Sequence, residues 1–186
     1  WVTDLWSRNY FHWILECLPR IFALQEQGIN VPLLIPEHIY KANFVKESLA
    51  DLQIEVLTYN FRQTVNVAYL YVVSHDPPCA FDPWYIRNVI SRFNELDSPK
   101  EVVVSRKVYI SRNEALKRKI ENESDLVPLL ISFGFEIVQM EKLSFREQRE
   151  LMRQTKILMS IHGAGLTNLI FMPKESKIIE LHPETK

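Results

Sequence analysis

The chain has 186 residues, 47% hydrophobic and 24% charged, which is ordinary for a globular protein of one large or two small domains. Its 22 basic and 23 acidic residues give a net charge of −1, which excludes a global electrostatic attraction to nucleic acid or to an anionic membrane. No apolar run reaches the roughly 18 residues of a membrane span, and the two cysteines form neither a metal-ligand spacing nor a disulfide framework.

The ends of the chain predict a fragment of a longer protein. It begins at Trp1 and not at Met, and it stops shortly after a predicted strand. We therefore expect that further segments could carry an anchor, a targeting signal or a closing helix. The scarcity of cysteines and the lack of an apolar span favour a bacterial cytosolic protein over a lumenal one.

Residues 8–27 predict an amphipathic helix, because apolar side chains recur at helical spacing along one face. Pro19 lacks a backbone donor and is expected to kink this helix. His12 and Glu16 are four residues apart on the polar face, so the pair could take a proton from a hydroxyl. The alternative is the solvated face of a surface helix. The polar stripe consists of Asn9, His12, Glu16 and Arg20.

The rest of the first half, up to a predicted domain boundary at the Ser-Pro-Lys of 98–100, alternates less regularly. Short apolar or β-branched runs predict strands, and longer mixed segments predict helices. We expect an α/β domain over residues 1–98. Strands are predicted at 31–35, 54–57 and 67–73, and helices at 37–50 and 83–95.

The second half, residues 99–186, predicts a Rossmann-like domain. Strands and helices follow in the order β-α-β-α-β-α-β, which is typical of a parallel sheet covered by helices on both faces. A capping box from Ser144 to Glu147 begins one of these helices. Strands are predicted at 108–111, 135–140, 157–161 and 177–181, and helices start near 123, 144 and 163.

The glycine loop, residues 162–168 with the sequence His-Gly-Ala-Gly-Leu-Thr-Asn, is the candidate for phosphate binding. It follows a strand, at the sheet edge where ligands of parallel α/β domains bind. Its two glycines let a ligand approach the backbone, and the first amides of the next helix attract anions. Thr167 and Asn168 could add side-chain donors. The alternative is a tight strand–helix turn without a ligand.

Charged residues stand at the ends of two strands of the same predicted sheet. Arg112 comes directly after one strand and could clamp phosphate oxygens, with Arg118 and Lys119 nearby; a solvated basic loop is the alternative. Glu180 ends the last strand, where a Rossmann fold places an acid on a ribose hydroxyl; a solvated strand end is the alternative.

Four motifs in order make the chain resemble glycosyltransferase family 61. They span nearly the whole chain. The first is Asn-Tyr-Phe-His-Trp at 9–13 with Leu-Pro-Arg at 18–20, and the second is Tyr-Ile-Ser-Arg at 109–112 with Arg118, Ile120, Asn122 and Glu123. The third is Gly-Phe at 134–135 with Glu-Lys-Leu-Ser at 141–144 and Glu-Gln at 147–148, and the fourth is the glycine loop with Glu-Leu-His-Pro at 180–183.

The resemblance implies an α/β protein of GT-B architecture, with two Rossmann-like domains facing a cleft, of which residues 1–98 would be the acceptor-side domain. It also implies an inverting transfer from a nucleotide sugar, and it suggests a UDP-linked sugar as the donor. The acceptor would be a hydroxyl of a glycan or glycoprotein, in a setting such as capsular or surface polysaccharide biosynthesis. The donor-nucleotide residues would be Arg112, Arg118, His162, Gly163, Ala164, Gly165, Leu166, Thr167, Asn168 and Glu180.

We expect His12, assisted by Glu16, to deprotonate the acceptor while Arg112 and the loop amides stabilise the leaving diphosphate. No Asp-x-Asp motif is present, so no obligatory metal or other cofactor is expected. No nucleic-acid partner is expected either.

Three other functions remain open at this stage. An NAD-linked oxidoreductase would fit the strand–glycine–helix pattern, although Asn168 stands where a dinucleotide fingerprint has its third glycine. A non-catalytic nucleotide-sugar-binding domain would bind the donor without transfer, and an epimerase would convert the donor without an acceptor.

Overall fold

The computed structural model describes residues 1–74, 82–97, 102–115 and 117–182, which form two compact units, Trp1–Ser98 and Pro99–Lys186. The predicted boundary at 98–100 and the proline at the end of the fourth motif lie outside the described residues. Within the described ranges, no helix combines the length and the apolar character that crossing a membrane requires.

The first unit begins with a helical run that has a wide turn in its middle. Helix α1 (Tyr10–His12) passes through a π-helical turn (Trp13–Cys17) into α2 (Leu18–Glu26). The amide of Leu18 donates to the carbonyl of Trp13, five residues earlier. Pro19 has no amide hydrogen, and its ring would collide with the carbonyl four residues before it in a regular helix. The break that Pro19 predicts therefore takes the form of a π turn.

A two-stranded parallel sheet completes this unit with three further helices. β1 (Leu33–Pro36) pairs with β2 (Val56–Tyr59), with Leu33 opposite Val56. The segment predicted as one helix at 37–50 forms two, α3 (Glu37–Tyr40) and α4 (Asn43–Asp51), and α5 (Pro83–Leu96) is capped by the side chain of Asp82.

The strand predicted at 67–73 is wrong. These residues belong to no strand, and Tyr69 and Val72 are exposed. The segment is tied to the chain's start by single bonds, such as the one from the Val73 amide to the Trp1 carbonyl. A segment with high β propensity forms a strand only where an adjacent strand can hydrogen-bond to its backbone along its length. The residue types of the segment do not show whether such a strand is present.

The core of the first unit forms around the helical run. α5 packs against α2 and the π turn. Trp13 is fully buried, and its indole nitrogen donates to the Ser48 hydroxyl at 2.9 Å. The other large buried side chains include Ile14, Leu18, Phe22, Ile35, Leu49 and Phe93.

The second unit has the predicted alternation of strands and helices. The four strands are all parallel, as the sequence predicts. The predicted capping box of Ser144 and Glu147 begins helix α7 (Phe145–Gln154). The last predicted helix is a 3₁₀ helix (Ala164–Phe171) and not an α-helix. The elements are β3 (Arg106–Ile110), α6 (Glu123–Ser132), β4 (Phe135–Val138), a 3₁₀ turn (Met140–Lys142), α7 (Phe145–Gln154), β5 (Thr155–Ile161) and β6 (Lys177–Leu181).

The order of strands across this sheet is β4-β3-β5-β6. The chain therefore leaves β3 towards one edge of the sheet and leaves β5 towards the other edge. Val108, Tyr109 and Ile110 are buried on β3, as is Leu158 on β5. α7 packs against the 3₁₀ helix, where the rings of Phe145 and Phe171 meet edge to face at 6.1 Å. This packing holds the segment that follows β5 against the core.

Candidate functional site

Arg112 and the glycine loop, both predicted to bind the nucleotide, lie at a topological switch point. β3 and β5 are neighbours, and their connections run to opposite edges of the sheet. Such a divergence opens a crevice outside the carboxyl ends of the two strands, where ligands of open α/β sheets bind. Arg112 comes two residues after β3, and the glycine loop begins immediately after β5. The topology therefore places both predicted elements at the edge where a ligand would sit.

The guanidinium of Arg112 lies against Gly163. A Cβ atom added to Gly163 would be 2.8 Å from Nη1 and 3.4 Å from Cζ of Arg112, which is closer than packing permits. At Gly165 the same addition would make an ordinary contact of 3.6 Å with Ile110. The absence of a side chain at Gly163 is thus what allows the arginine to cover the loop.

Part of the hydrogen-bonding capacity of Arg112 is unused. Its Nη2 donates to the carbonyl of Lys117 at 3.2 Å, but its buried Nε has no hydrogen-bond partner among the described residues. A buried donor without a partner is unfavourable, and such positions need an explanation. A phosphate oxygen is an acceptor of the kind that a guanidinium binds best.

The start of the 3₁₀ helix lies within the glycine loop. The Leu166 amide donates to the Gly163 carbonyl at 3.0 Å, which closes the first turn. The amides before it have no partner inside the helix. Thr167 is buried, and its hydroxyl has no hydrogen-bond partner in the described part of the chain. Unused donors thus occur both on this segment and on Arg112.

Asn168 is part of a buried network that holds the loop. Its side-chain amide donates to Gln148 Oε1 at 3.0 Å and to the Gly165 carbonyl at 3.3 Å. Gln148 in turn donates to the carbonyls of Met140 and Leu143. The structure therefore gives Asn168 a supporting role in the shape of the loop, and its predicted contact with a diphosphate stays a prediction.

Arg118 lies in the connection after β3 with a backbone φ of 58°, in the left-handed region that few non-glycine residues adopt. Its side chain is exposed, and no hydrogen bond or ion pair joins it to the glycine loop within the described residues. The structure thus brings Arg112, but not Arg118, into contact with the loop.

A His–Glu–His cluster, consisting of His162, Glu180 and His182, extends this edge of the sheet. His162 Nδ1 is 2.7 Å from Glu180 Oε1, and His182 Nε2 is 3.2 Å from Glu180 Oε2. These hydrogen bonds, the one with His162 foremost, lower the pKa of Glu180. Sequence reasoning selected His162 and Glu180 separately and missed His182, although the Glu-Leu-His spacing at a strand end was the available signal.

The predicted proton-transfer pair forms in the first unit. His12 Nδ1 is 2.8 Å from Glu16 Oε2, and only 16% and 9% of the two side chains are exposed. The ring of His12 also lies 5.8 Å from that of Trp6 and 5.2 Å from that of Phe11. The pair is therefore held in a partly buried setting, unlike the solvated face of a surface helix.

Arg20, on the same stripe, has a structural role. It is buried, donates to the Val2 carbonyl at 2.7 Å and pairs with Asp4 at 3.1 Å. Burial acts to raise the pKa of Asp4, but hydrogen bonds from the Trp6 amide, Arg20 and Ser7 outweigh it, so the pKa of Asp4 is lowered.

A cavity of about 1030 Å³ lies elsewhere in the first unit. It is lined by β1, β2 and the segment up to residue 71, and its aromatic side chains are those of Trp1, Tyr59, Tyr69 and Tyr71. His12 and Glu16 do not line it. The candidate proton-transfer pair and this cavity are thus separate features of the unit.

Comparison with protein families gives one match that covers most of the chain. The model of the family described as Glycosyltransferase 61 matches residues 10–179. The matched range includes the His12–Glu16 pair in the first unit and the glycine loop in the second.

Curated relatives match shorter stretches. An EGF domain-specific O-linked N-acetylglucosamine transferase of Drosophila melanogaster is 36% identical over 76 residues, which are 40% of this chain and 15% of that protein. Proteins of the same name from Pan troglodytes and Mus musculus are each 32% identical over 104 residues, which are 53% of this chain and 19% of each relative. The chain thus matches less than a fifth of the length of these relatives.

Proposed function

The chain belongs to the Glycosyltransferase 61 family, and from this premise we propose that it transfers a sugar from a nucleoside diphosphate donor to a hydroxyl of a glycan or glycoprotein acceptor. We propose UDP as the nucleotide. The relatives named above are N-acetylglucosamine transferases, so UDP-N-acetylglucosamine is the first donor to test. A role in capsular or surface polysaccharide synthesis is part of the proposal on the acceptor side.

The observation that carries this proposal is the contact between Arg112 and Gly163 at the switch point of the second unit. It puts a positive charge with an unused side-chain donor over a loop whose first amides have no partner inside the helix. Both features suit a diphosphate, whose negative charge grows as it leaves. The binding proposal therefore assigns the diphosphate to Arg112 and the glycine loop, with Thr167 as an additional donor.

The proposed base is His12. Its Nδ1 faces Glu16, so an Nδ1–H that donates to this carboxylate leaves the Nε2 lone pair to accept a proton. The carboxylate would orient the ring and stabilise the imidazolium that forms, as in other imidazole–carboxylate pairs. The acceptor oxygen would then attack the anomeric carbon in one displacement, which inverts its configuration.

The proposed architecture is GT-B. Each unit contains parallel strands joined by helical connections, which is the basic pattern of a Rossmann-like domain. The first unit has two strands among its described residues and the second has four, so the second supports this assignment more strongly.

Titration calorimetry of the whole chain with UDP and, separately, with NAD tests the proposed function against the oxidoreductase alternative. A chelator is present throughout, so that no adventitious metal contributes to the heat. We expect UDP to bind and NAD to give no signal, because Asn168 fills the position of the third fingerprint glycine and is locked to Gln148.

The reverse result, NAD binding without UDP binding, would contradict the transferase proposal. If UDP binds, release of UDP from UDP-N-acetylglucosamine in the presence of candidate acceptors separates a transferase from a domain that only binds the donor. Conversion of the sugar without an acceptor would indicate an epimerase.

A further inference from the structure

The His–Glu–His cluster is a set of metal-ligand side chains beside the proposed diphosphate site, and its member His162 is the first residue of the glycine loop. One ligand atom from each of His162, Glu180 and His182 lies within 4.8 Å of the other two. The rings of the two histidines stack at 5.4 Å with their planes 29° apart. Both carboxylate oxygens of Glu180 are engaged by imidazole nitrogens. The three side chains therefore converge on one point.

Strand register explains why they converge. β5 and β6 are parallel neighbours, with Ser160 opposite Glu180 and Ile161 opposite Leu181. His162 and His182 are the residues that directly follow this last pair, and the His162 amide donates to the Leu181 carbonyl at 3.0 Å. Side chains two residues apart on a strand share a face, so Glu180 and His182 lie together. The backbone thus fixes the spacing before any ligand binds.

The geometry suits a small divalent transition-metal ion. Tetrahedral zinc sites with nitrogen and oxygen ligands have bonds of about 2.0–2.2 Å, so ligand atoms there are about 3.4 Å apart. The nitrogen–oxygen separations of 2.7 Å and 3.2 Å lie slightly below this value. All three side chains are at least one-third exposed, so small rotations can open the cluster around an ion.

We propose that His162, Glu180 and His182 bind a divalent transition-metal ion of the Zn²⁺ type. Two imidazoles and one carboxylate are a ligand set that zinc and other first-row metals use, and a site with three protein ligands keeps a coordination position open. The inference does not depend on the proposed glycosyl transfer, because it follows from the three side chains and their register alone.

The position of the site gives it a consequence for the donor. His162 precedes Gly163 directly in the chain, so the ion would add positive charge beside the loop assigned to the diphosphate. UDP is then expected to bind more tightly when the site is loaded. This second part rests on the proposed function, whereas metal binding itself does not.

The test is a titration of tag-free, metal-free protein with Zn²⁺, in competition with a chromophoric chelator and without nucleotide. Co²⁺ substitution gives a visible spectrum that reports the ligand geometry. We expect one ion per chain and an affinity at least about tenfold lower in His162→Ala, His182→Ala and Glu180→Gln, since even residues that only orient metal ligands cost that much when changed.

His38→Ala is the matched control, because His38 is an exposed histidine on a helix of the first unit. Its Zn²⁺ affinity should equal that of the wild type. Glu180→Gln keeps the shape of the side chain, so it still tests the site if an alanine variant fails to fold. The proposal is overturned if wild type binds Zn²⁺ no more tightly than the His162→Ala/His182→Ala double variant, or if His38→Ala weakens binding equally.

The two proposals can fail separately. UDP binding is measured with a chelator, and Zn²⁺ binding is measured without nucleotide. Zn²⁺ binding without any UDP binding would leave the metal site standing and remove the donor site. The opposite result would leave the donor site standing as a metal-independent one.

Discussion

The need for glycine at position 163 comes from a neighbouring side chain. Its backbone φ of 165° is extended, and any residue can adopt it. A Cβ atom at this position would meet the Arg112 guanidinium at 2.8 Å, so a larger residue requires the arginine to move. Gly165 in the same loop has ordinary space around it. The two glycines of the motif therefore have different roles, although they look equivalent in the sequence.

We predict that Gly163→Ala weakens UDP binding by about tenfold, which corresponds to about 1.4 kcal/mol. The added methyl group displaces the Arg112 guanidinium from the loop. Gly165→Ala, with its Cβ at 3.6 Å from Ile110, should have a smaller effect. Calorimetry on both variants gives the comparison.

The double variant makes this test specific. In an Arg112→Ala background there is no guanidinium to displace, so Gly163→Ala should cause no further loss of UDP affinity. Losses that simply add in the double variant would show that Gly163 acts independently of Arg112.

The sequence predicts the place of a residue in the fold correctly where that residue directly follows a strand. Arg112 and the glycine loop were expected at one sheet edge because both follow strands, and they lie in contact there. Sequence could not separate Thr167 from Asn168. The hydroxyl of Thr167 is unpartnered within the described residues, whereas the Asn168 amide is bound to Gln148, and that difference depends on how the 3₁₀ helix packs on α7.

At the level of elements, the helical run of the first unit sets up the His12–Glu16 pair. The residues are neighbours across one turn, and the π turn that contains Glu16 lies directly before Pro19. π turns occur frequently at functional sites. The pair is therefore the part of the first unit where we expect chemistry.

We predict that His12→Ala lowers kcat by about a hundredfold or more while UDP affinity stays unchanged, because general-base catalysis typically contributes about 10²–10⁴-fold. Glu16→Gln should lower kcat less, since it keeps the ring in place but removes the negative charge. Initial rates of UDP release at saturating donor provide the measurement.

His38→Ala is again the control and should leave kcat as in the wild type. Circular dichroism checks that each variant is folded. Turnover of His12→Ala at the wild-type rate would remove His12 from the mechanism, and another residue would then be the base.

Helices and strands are predicted correctly from the sequence where the residues that determine them are close together in the chain. The Ser144–Glu147 capping box and the helix predicted at 83–95 are encoded by residues that are close in sequence. Both are confirmed, the helix as Pro83–Leu96. The strand predicted at 67–73 needed a distant partner strand and was wrong. The 3₁₀ form of Ala164–Phe171 also depends on non-local packing, here between Phe171 and Phe145.

At the scale of the whole molecule, alternation of strands and helices predicted a parallel sheet but not its strand order. The order β4-β3-β5-β6 depends on which way each connection crosses, and no residue pattern encodes that directly. This order creates the switch point between β3 and β5. The location of the site at one sheet edge was therefore predictable, whereas the crevice between those two strands was not.

The family match extends over both units, from residue 10 to residue 179, while the curated relatives are matched over less than a fifth of their length. Membership of the family thus rests on residues 10–179. The proposed donor site lies in the second unit alone, and the central claim of that proposal is that Arg112 holds the diphosphate.

The most direct test of that claim is calorimetric titration of UDP into wild type, Arg112→Ala and Arg146→Ala. Arg146 is an exposed arginine of the same unit that pairs with Glu150 on α7. Removing a charged hydrogen bond of about 1.5–3 kcal/mol should weaken UDP binding by about tenfold to a hundredfold in Arg112→Ala, with Arg146→Ala unchanged. Equal UDP affinity in Arg112→Ala and wild type would contradict the account.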